Sequence, residues 1–209
     1  MEQLREMIKT GKMDETVQHV KGLLDSGINP EDILKNGMIS AMDIVGDLFQ
    51  NGEYFLPEML IAARAMQKGM DILKPCLEEG GIEPLGKAVI GTVEGDLHDI
   101  GKNLVSMSLK GAGFDVIDLG VDVSPEKYIE AIKNHNPVII GMSAMITTTM
   151  PNMKGVIDAV TDAGLRDRVK IMIGGAPTTG NFAEDVGADF YGEDSTSARD
   201  YAKEIVKAS

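Results

Sequence analysis

The sequence predicts an α/β chain in two parts: an N-terminal four-helix bundle over residues 1–84, and a five-stranded parallel doubly wound (flavodoxin/Rossmann-like) sheet domain over 85–209. Three observations predict it. Up to about residue 80, apolar residues recur only at helical spacing. From Lys87 onward, short β-rich apolar runs alternate with amphipathic stretches, the pattern of repeated βα units. Between the two lies Gly80-Gly81-Ile82-Glu83-Pro84, a run of turn residues that fits a boundary.

Leu4, Met7 and Ile8 mark a first helix, and Val17, Val20 and Leu24 a second that Gly27 ends. Asn29-Pro30-Glu31-Asp32 starts a third, with Asn29 as N-cap, Pro30 at the first helical position and acids in the first turn. It runs through Ile33, Leu34, Met38, Met42, Val45 and Phe49 to Asn51-Gly52. Pro57 starts a fourth, through Met59, Leu60, Ala63, Met66, Met70 and Leu73 to about Glu79. Short connections make these a small bundle. The strands fall at 88–92, 114–119, 138–143, 170–173 and 189–191. Helices follow near 100–112, 125–135, 150–163, 181–186 and 195–207. Continuous apolar strands, buried on both faces, fit a parallel sheet.

Composition narrows the function. With 33 acidic and 20 basic residues, the formal charge is −13. That argues against a nucleic-acid binder, which needs a basic footprint, and against docking to anionic membranes. One cysteine, Cys76, forbids an intramolecular disulfide framework. No apolar run approaches a membrane span, and the first residues hold no apolar signal core. The expectation is a cytoplasmic protein.

In an open parallel sheet, ligands bind beyond the carboxyl ends of the strands, where strand order reverses. Four segments there are small, polar or glycine-rich: Val93 to Asn103, Ser143 to Thr149, Gly174 to Thr179, and Tyr191 to Asp194. Each one alone fits an ordinary tight βα turn; four on one edge point to a binding site. Gly81 to Lys87 imitates a phosphate-binding loop, but Ala88 stands where Ser or Thr is needed, and the segment precedes a strand instead of following one. The sharper signal is Asp96-Leu97-His98-Asp99-Ile100-Gly101. Asp96 can accept the proton on one ring nitrogen of His98, which fixes the other nitrogen as a lone-pair donor. A polar loop histidine beside an N-capping aspartate accounts for the same spacing. A zinc centre needs three or four protein ligands, and His19 and His135 sit in predicted helices without ligand partners. A metal on His98 must therefore bring most of its own ligands, as in a macrocycle.

On these residues the chain resembles the methyltransferase-associated corrinoid (B12-binding) proteins, related to the cobalamin-binding module of methionine synthase. The family signature is Asp-x-His-x-x-Gly, then Ser-x-Leu, then Gly-Gly. Here the first is Asp96 to Gly101 and the third Gly174-Gly175; the second reads Ser143-Ala144-Met145, with Met for Leu. The resemblance covers nearly the whole chain. It implies a methylcobalamin-type corrinoid held base-off/His-on, with His98 as lower cobalt ligand and Asp96 holding His98. Gly95, Leu97, Asp99, Ile100 and Gly101 complete that loop. Ser143 and Met145 are matched to the buried nucleotide base and its surroundings. Gly174 and Gly175 leave room for the nucleotide tail, with Thr147, Ala176, Tyr191 and Gly192 as weaker candidates. The bundle caps the corrin.

The implied function is methyl carriage. A substrate-specific methyltransferase delivers a methyl group to Co(I), and a corrinoid:acceptor methyltransferase passes it to tetrahydrofolate or a thiol. A reductive activase is a further implied partner, and the chain is not catalytic alone. Met38, Met42, Met59, Met66 and Met70 fit either ordinary bundle core or a pliable cover for an apolar cofactor face. Tyr54 and Phe55 are candidates for the same cover, and Cys76 reads as a buried helix residue.

Overall fold

The computed structural model describes residues 1–208. The chain divides into two compact units, one of Met1–Pro84 with Gly111–Gly113, the other of Leu85–Lys110 and Phe114 onward.

The first unit holds α1 (Glu2–Lys9), α2 (Met13–Asp25), α3 (Pro30–Asp32), a π-helical stretch (Ile33–Ile39), α4 (Ser40–Gln50) and α5 (Leu56–Glu79). Asn29 caps as its sequence suggests, its Oδ1 accepting the Glu31 N–H at 2.9 Å. The predicted third helix differs in one respect: between α3 and α4 it winds as π-helix. That winding widens the turn without interrupting the helix, so apolar spacing gives no warning of it. Its buried residues include Gly37, where a Cβ would lie 2.7 Å from Leu4 Cδ2 of α1. At the start of α5 the Phe55 N–H donates to Glu58 Oε2 at 2.9 Å. Met38, Met42, Met59 and Met66 are buried with Leu4, Ile8, Val20 and Leu73. They are bundle core. Cys76 on α5 is half-buried, less enclosed than its apolar setting implies.

The second unit holds β1 (Lys87–Thr92), α6 (Ile100–Gly111), β2 (Asp115–Asp118), α7 (Pro125–His135), β3 (Ile139–Ser143), α8 (Asn152–Asp162), a 3₁₀ turn (Arg166–Arg168), β4 (Lys170–Gly174), α9 (Gly180–Val186), β5 (Phe190–Gly192) and α10 (Ser195–Ala208). The sheet is parallel in the order β2-β1-β3-β4-β5, so the direction of winding reverses at β1. One face packs Val89, Ile140, Met142, Ile171 and Ile173 against Tyr128, Ile132, Val156 and Ala183 of α7, α8 and α9. Strand side chains alternate. The opposite face therefore carries Thr92, Ser143, Gly174 and Gly192, which register side by side across four strands. Alpha-helix α10 covers that face, with Ala198 Cβ 3.4 Å from where a Cβ on Gly192 would lie.

Candidate functional site

The site begins where β1 ends. Thr92 Oγ1 donates to the His98 carbonyl at 2.9 Å, and the Val93 N–H to the Ser143 carbonyl at 3.0 Å. These bonds tie the β1–α6 loop to the strand ends of the switch point. Within the loop, Asp96 Oδ1 takes the His98 backbone N–H at 3.0 Å and lies 2.8 Å from His98 Nδ1. The other oxygen, Oδ2, takes the Met145 N–H at 2.8 Å and the Thr149 hydroxyl at 2.7 Å.

Burial alone would push the Asp96 carboxyl up. The hydrogen bonds from Thr149, Met145 and His98 outweigh it and hold the group well below the usual carboxylate range. An ionised carboxylate only accepts, so the shared proton sits on Nδ1, and Nε2 is the ring nitrogen left to offer a lone pair. The Asp96 side chain is fully buried, yet that of His98 is 57 % exposed. Around it, Leu97, Ile100, Met145 and Ile146 also stand exposed. Exposed apolar side chains concentrated on two adjoining loops suit a ligand surface. Among the described residues, no group of three or more His, Cys, Asp or Glu side chains is placed to hold a metal ion. A metal on Nε2 must arrive with other ligands.

A second feature adjoins the first. Thr92, Ser143, Gly174 and Gly192 form a row of small residues on the α10 face. Just beyond its end, Ser195 Oγ and Thr196 Oγ1 are buried without a hydrogen-bond partner. Buried hydroxyls are ordinarily satisfied, so this adjacent pair suits a polar group that enters from outside.

The sequence-derived candidates divide accordingly. Asp96, His98, Met145, Ser143, Gly174 and Gly192 converge on the carboxyl edge of the sheet. Gly95 and Asp99 shape the loop: the Gly95 N–H reaches Asp122 Oδ1 at 2.7 Å, and the Asp99 carbonyl takes the Asn103 N–H at 2.8 Å. Gly101 lies in the first turn of α6, and Thr147 and Ala176 are exposed on their loops.

Two expectations need correction. Tyr191 packs against the α7–α9 core, the opposite face from Ser143, because side chains alternate along β5. Gly175 is required by the protein itself. Its φ is +123°, and a Cβ there would overlap the Ala144 carbonyl oxygen. Room for a ligand is therefore not what fixes glycine at 175. At Gly174 a Cβ would lie 2.9 Å from the Gly192 carbonyl oxygen, so backbone crowding acts there too.

Thr149 was not among the candidates, although it closes the chain Thr149–Asp96–His98. Its only sequence signal is a hydroxyl in the loop after β3. The 53 positions separating it from Asp96 are bridged by the fold alone.

Comparison with known proteins shows the family. Two family models, each described as a B12 binding domain, match residues 86–200 and 1–74. Dimethylamine corrinoid protein 1 of Methanosarcina acetivorans is 44% identical over 191 residues, covering 91% of this chain and 88% of that protein. Trimethylamine corrinoid protein 1 of the same organism is 46% identical over 175 residues, covering 83% and 81%. Among solved structures, the methanol:cobalamin methyltransferase complex of Methanosarcina barkeri contains a chain with a TM-score of 0.88 at 30% identity, covering 99% of this chain and 79% of that one.

Proposed function

The chain belongs to the methyltransferase-associated corrinoid (B12-binding) protein family, and on that premise we propose that it is the methyl-carrying subunit of a methyltransferase system, with His98 as protein ligand to the cobalt of its corrinoid. One observation carries the reading: the buried, four-times hydrogen-bonded Asp96 holds a proton on His98 Nδ1, which leaves Nε2 as a lone-pair donor amid exposed apolar side chains. The row Thr92–Ser143–Gly174–Gly192, with the orphan hydroxyls of Ser195 and Thr196, fits the nucleotide tail of a base-off cofactor.

When bound, the corrinoid supplies the cobalt that accepts and releases the methyl group. The protein's residues do the rest. Asp96 orients the ring of His98 and fixes its tautomer. Leu97, Ile100, Met145 and Ile146 offer an apolar floor that excludes water. Ser143 is the candidate hydrogen-bond partner of the buried base.

The partners follow from the same reading. One methyltransferase delivers the methyl group and a second removes it to tetrahydrofolate or a thiol, with a reductive activase restoring the lowest cobalt state. Relatives named for dimethylamine and trimethylamine, at 44% and 46% identity, support a methylated amine as donor over methanol. The test is titration of the apo-protein with hydroxocobalamin, then a donor screen with the methyltransferase co-purified from the native cell. One corrinoid per chain and methylation by a methylated amine are expected. Failure to bind a corrinoid would defeat the reading; methylation by methanol alone would defeat its choice of donor.

A further inference from the structure

We propose that Asp122, outside the recognised motif, is a positioning residue for His98; the inference rests on the reading of His98 as a corrinoid ligand. Asp122 lies between β2 and α7, exposed to solvent, with φ +54°. Glycine is the residue that adopts that conformation without steric cost, and Asp is among the few others that tolerate it. What Asp adds over Gly is the carboxylate, and the carboxylate has one clear use.

Its Oδ1 accepts the Gly95 N–H at 2.7 Å, while the Asp122 N–H donates to the Asp96 carbonyl at 3.0 Å. The two bonds grip Gly95 and Asp96 from one residue. The grip is itself anchored. The Val123 N–H donates to the Thr92 carbonyl at 3.0 Å, and Val93 and Val123 form an isolated parallel bridge. On the other side of the loop, Asn152 Nδ2 donates to the Glu94 carbonyl at 2.8 Å. Asp96 carries its backbone position directly into the imidazole, because its Oδ1 bonds both the His98 N–H and Nδ1. A shift of the Gly95–Asp96 backbone therefore re-aims Nε2. Bond strength at a ligand depends on such aim, and outer partners of a metal-bound histidine change affinity or activity by about 10–100-fold when removed.

The experiment loads wild type, Asp122→Ala, Asp122→Asn and Asp122→Gly with cobalamin, reduces the cobalt to Co(II), and reads spin resonance with nitrogen-15 histidine. Loss of one hydrogen bond corresponds to about a three- to tenfold change in an equilibrium. Asp122→Ala should bind as much cobalamin as wild type, yet shift the ratio of histidine-bound to histidine-free cobalt by that factor toward free. Asp122→Asn, which keeps an acceptor oxygen at the same place, should restore the ratio. Asp122→Gly relieves the backbone but lacks the acceptor; it should behave like Asp122→Ala, and it serves in its place if that variant folds poorly. A wild-type ratio in both Asp122→Ala and Asp122→Gly overturns the inference, as does an Asp122→Asn ratio no better than theirs. A wild-type spectrum without a histidine nitrogen overturns the functional reading and this inference with it.

Discussion

Asp96 and Thr149 lie 53 positions apart, yet the Thr149 hydroxyl donates to Asp96 Oδ2 at 2.7 Å while Oδ1 of the same carboxylate holds the His98 ring at 2.8 Å. The carboxylate is thus shared between a buried hydroxyl and a half-exposed imidazole. Thr149→Val keeps the shape and removes the donor. Its stability loss should be about 1–3 kcal/mol, the cost of leaving a buried acceptor short of a partner. Urea unfolding of the apo-protein measures it, and a loss below 0.5 kcal/mol, roughly the smallest net worth of one bond, would show that water replaces the hydroxyl.

The depressed Asp96 carboxyl makes stability depend on pH. Its folded value lies below its unfolded one, so the ionised form stabilises the fold. That contribution is fully present above the ordinary carboxylate range, about pH 4, and is lost as the pH falls further toward the folded value. Asp96→Asn has no such contribution to lose. Denaturant titrations of the two apo-proteins between neutral pH and pH 3 should therefore converge on acidification. A gap that stays constant below pH 4 would place the stabilising charge elsewhere.

Lys102 is almost fully buried, and its Nζ reaches both carboxylate oxygens of Asp118, at 2.7 and 2.6 Å, and Asn103 Oδ1 at 2.7 Å. Removing the charge of Asp118 leaves the buried Lys102 ammonium without its partner. Asp118→Asn should cost about 3 kcal/mol, the low end of the usual range because the pair is partly exposed on the Asp118 side. The double variant Lys102→Met/Asp118→Asn should recover most of it. Thermal and urea unfolding of the apo-proteins decide; equal losses in single and double variants would mean the pair is only packing.

Gly175 and Ser143 should behave differently when enlarged. Gly175→Val should fail to yield a stable apo-protein, because its side chain meets the Ala144 carbonyl and its φ suits glycine. Ser143→Leu already has a Cβ in place and points into the row of small residues. It should fold, with corrinoid affinity at least about tenfold weaker, since a filled interior leaves no room for the tail. Unchanged affinity in Ser143→Leu would mean that the tail runs elsewhere.

Much of this was readable in the chain. The strands and α-helices of the sheet unit follow from apolar runs and punctuation, most clearly β1, β3 and β4, because parallel strands buried on both faces advertise themselves. Asp96 and His98 are two residues apart, so their pairing is local and legible. What the sequence hides is of three kinds. Thr149, Asp122 and Asn152 act across 27 to 58 positions, where only the folded sheet supplies the contact. The π-helical stretch at 33–39 and the opposite facing of Tyr191 turn on a single residue of register, finer than periodicity resolves. Gly175 is a third case. Its sequence motif marks the position, but the reason for glycine lies in a backbone carbonyl that no motif names.

The central claim is that His98, held by Asp96, ligates cobalt through Nε2. Spin resonance of the Co(II) protein, loaded with one corrinoid and labelled with nitrogen-15 histidine, tests it most directly. One histidine nitrogen on cobalt is expected in wild type and none in His98→Ala, with the corrinoid still bound through its tail. A histidine signal that survives His98→Ala, or a wild-type spectrum in which the cofactor keeps its own base on cobalt, would contradict it.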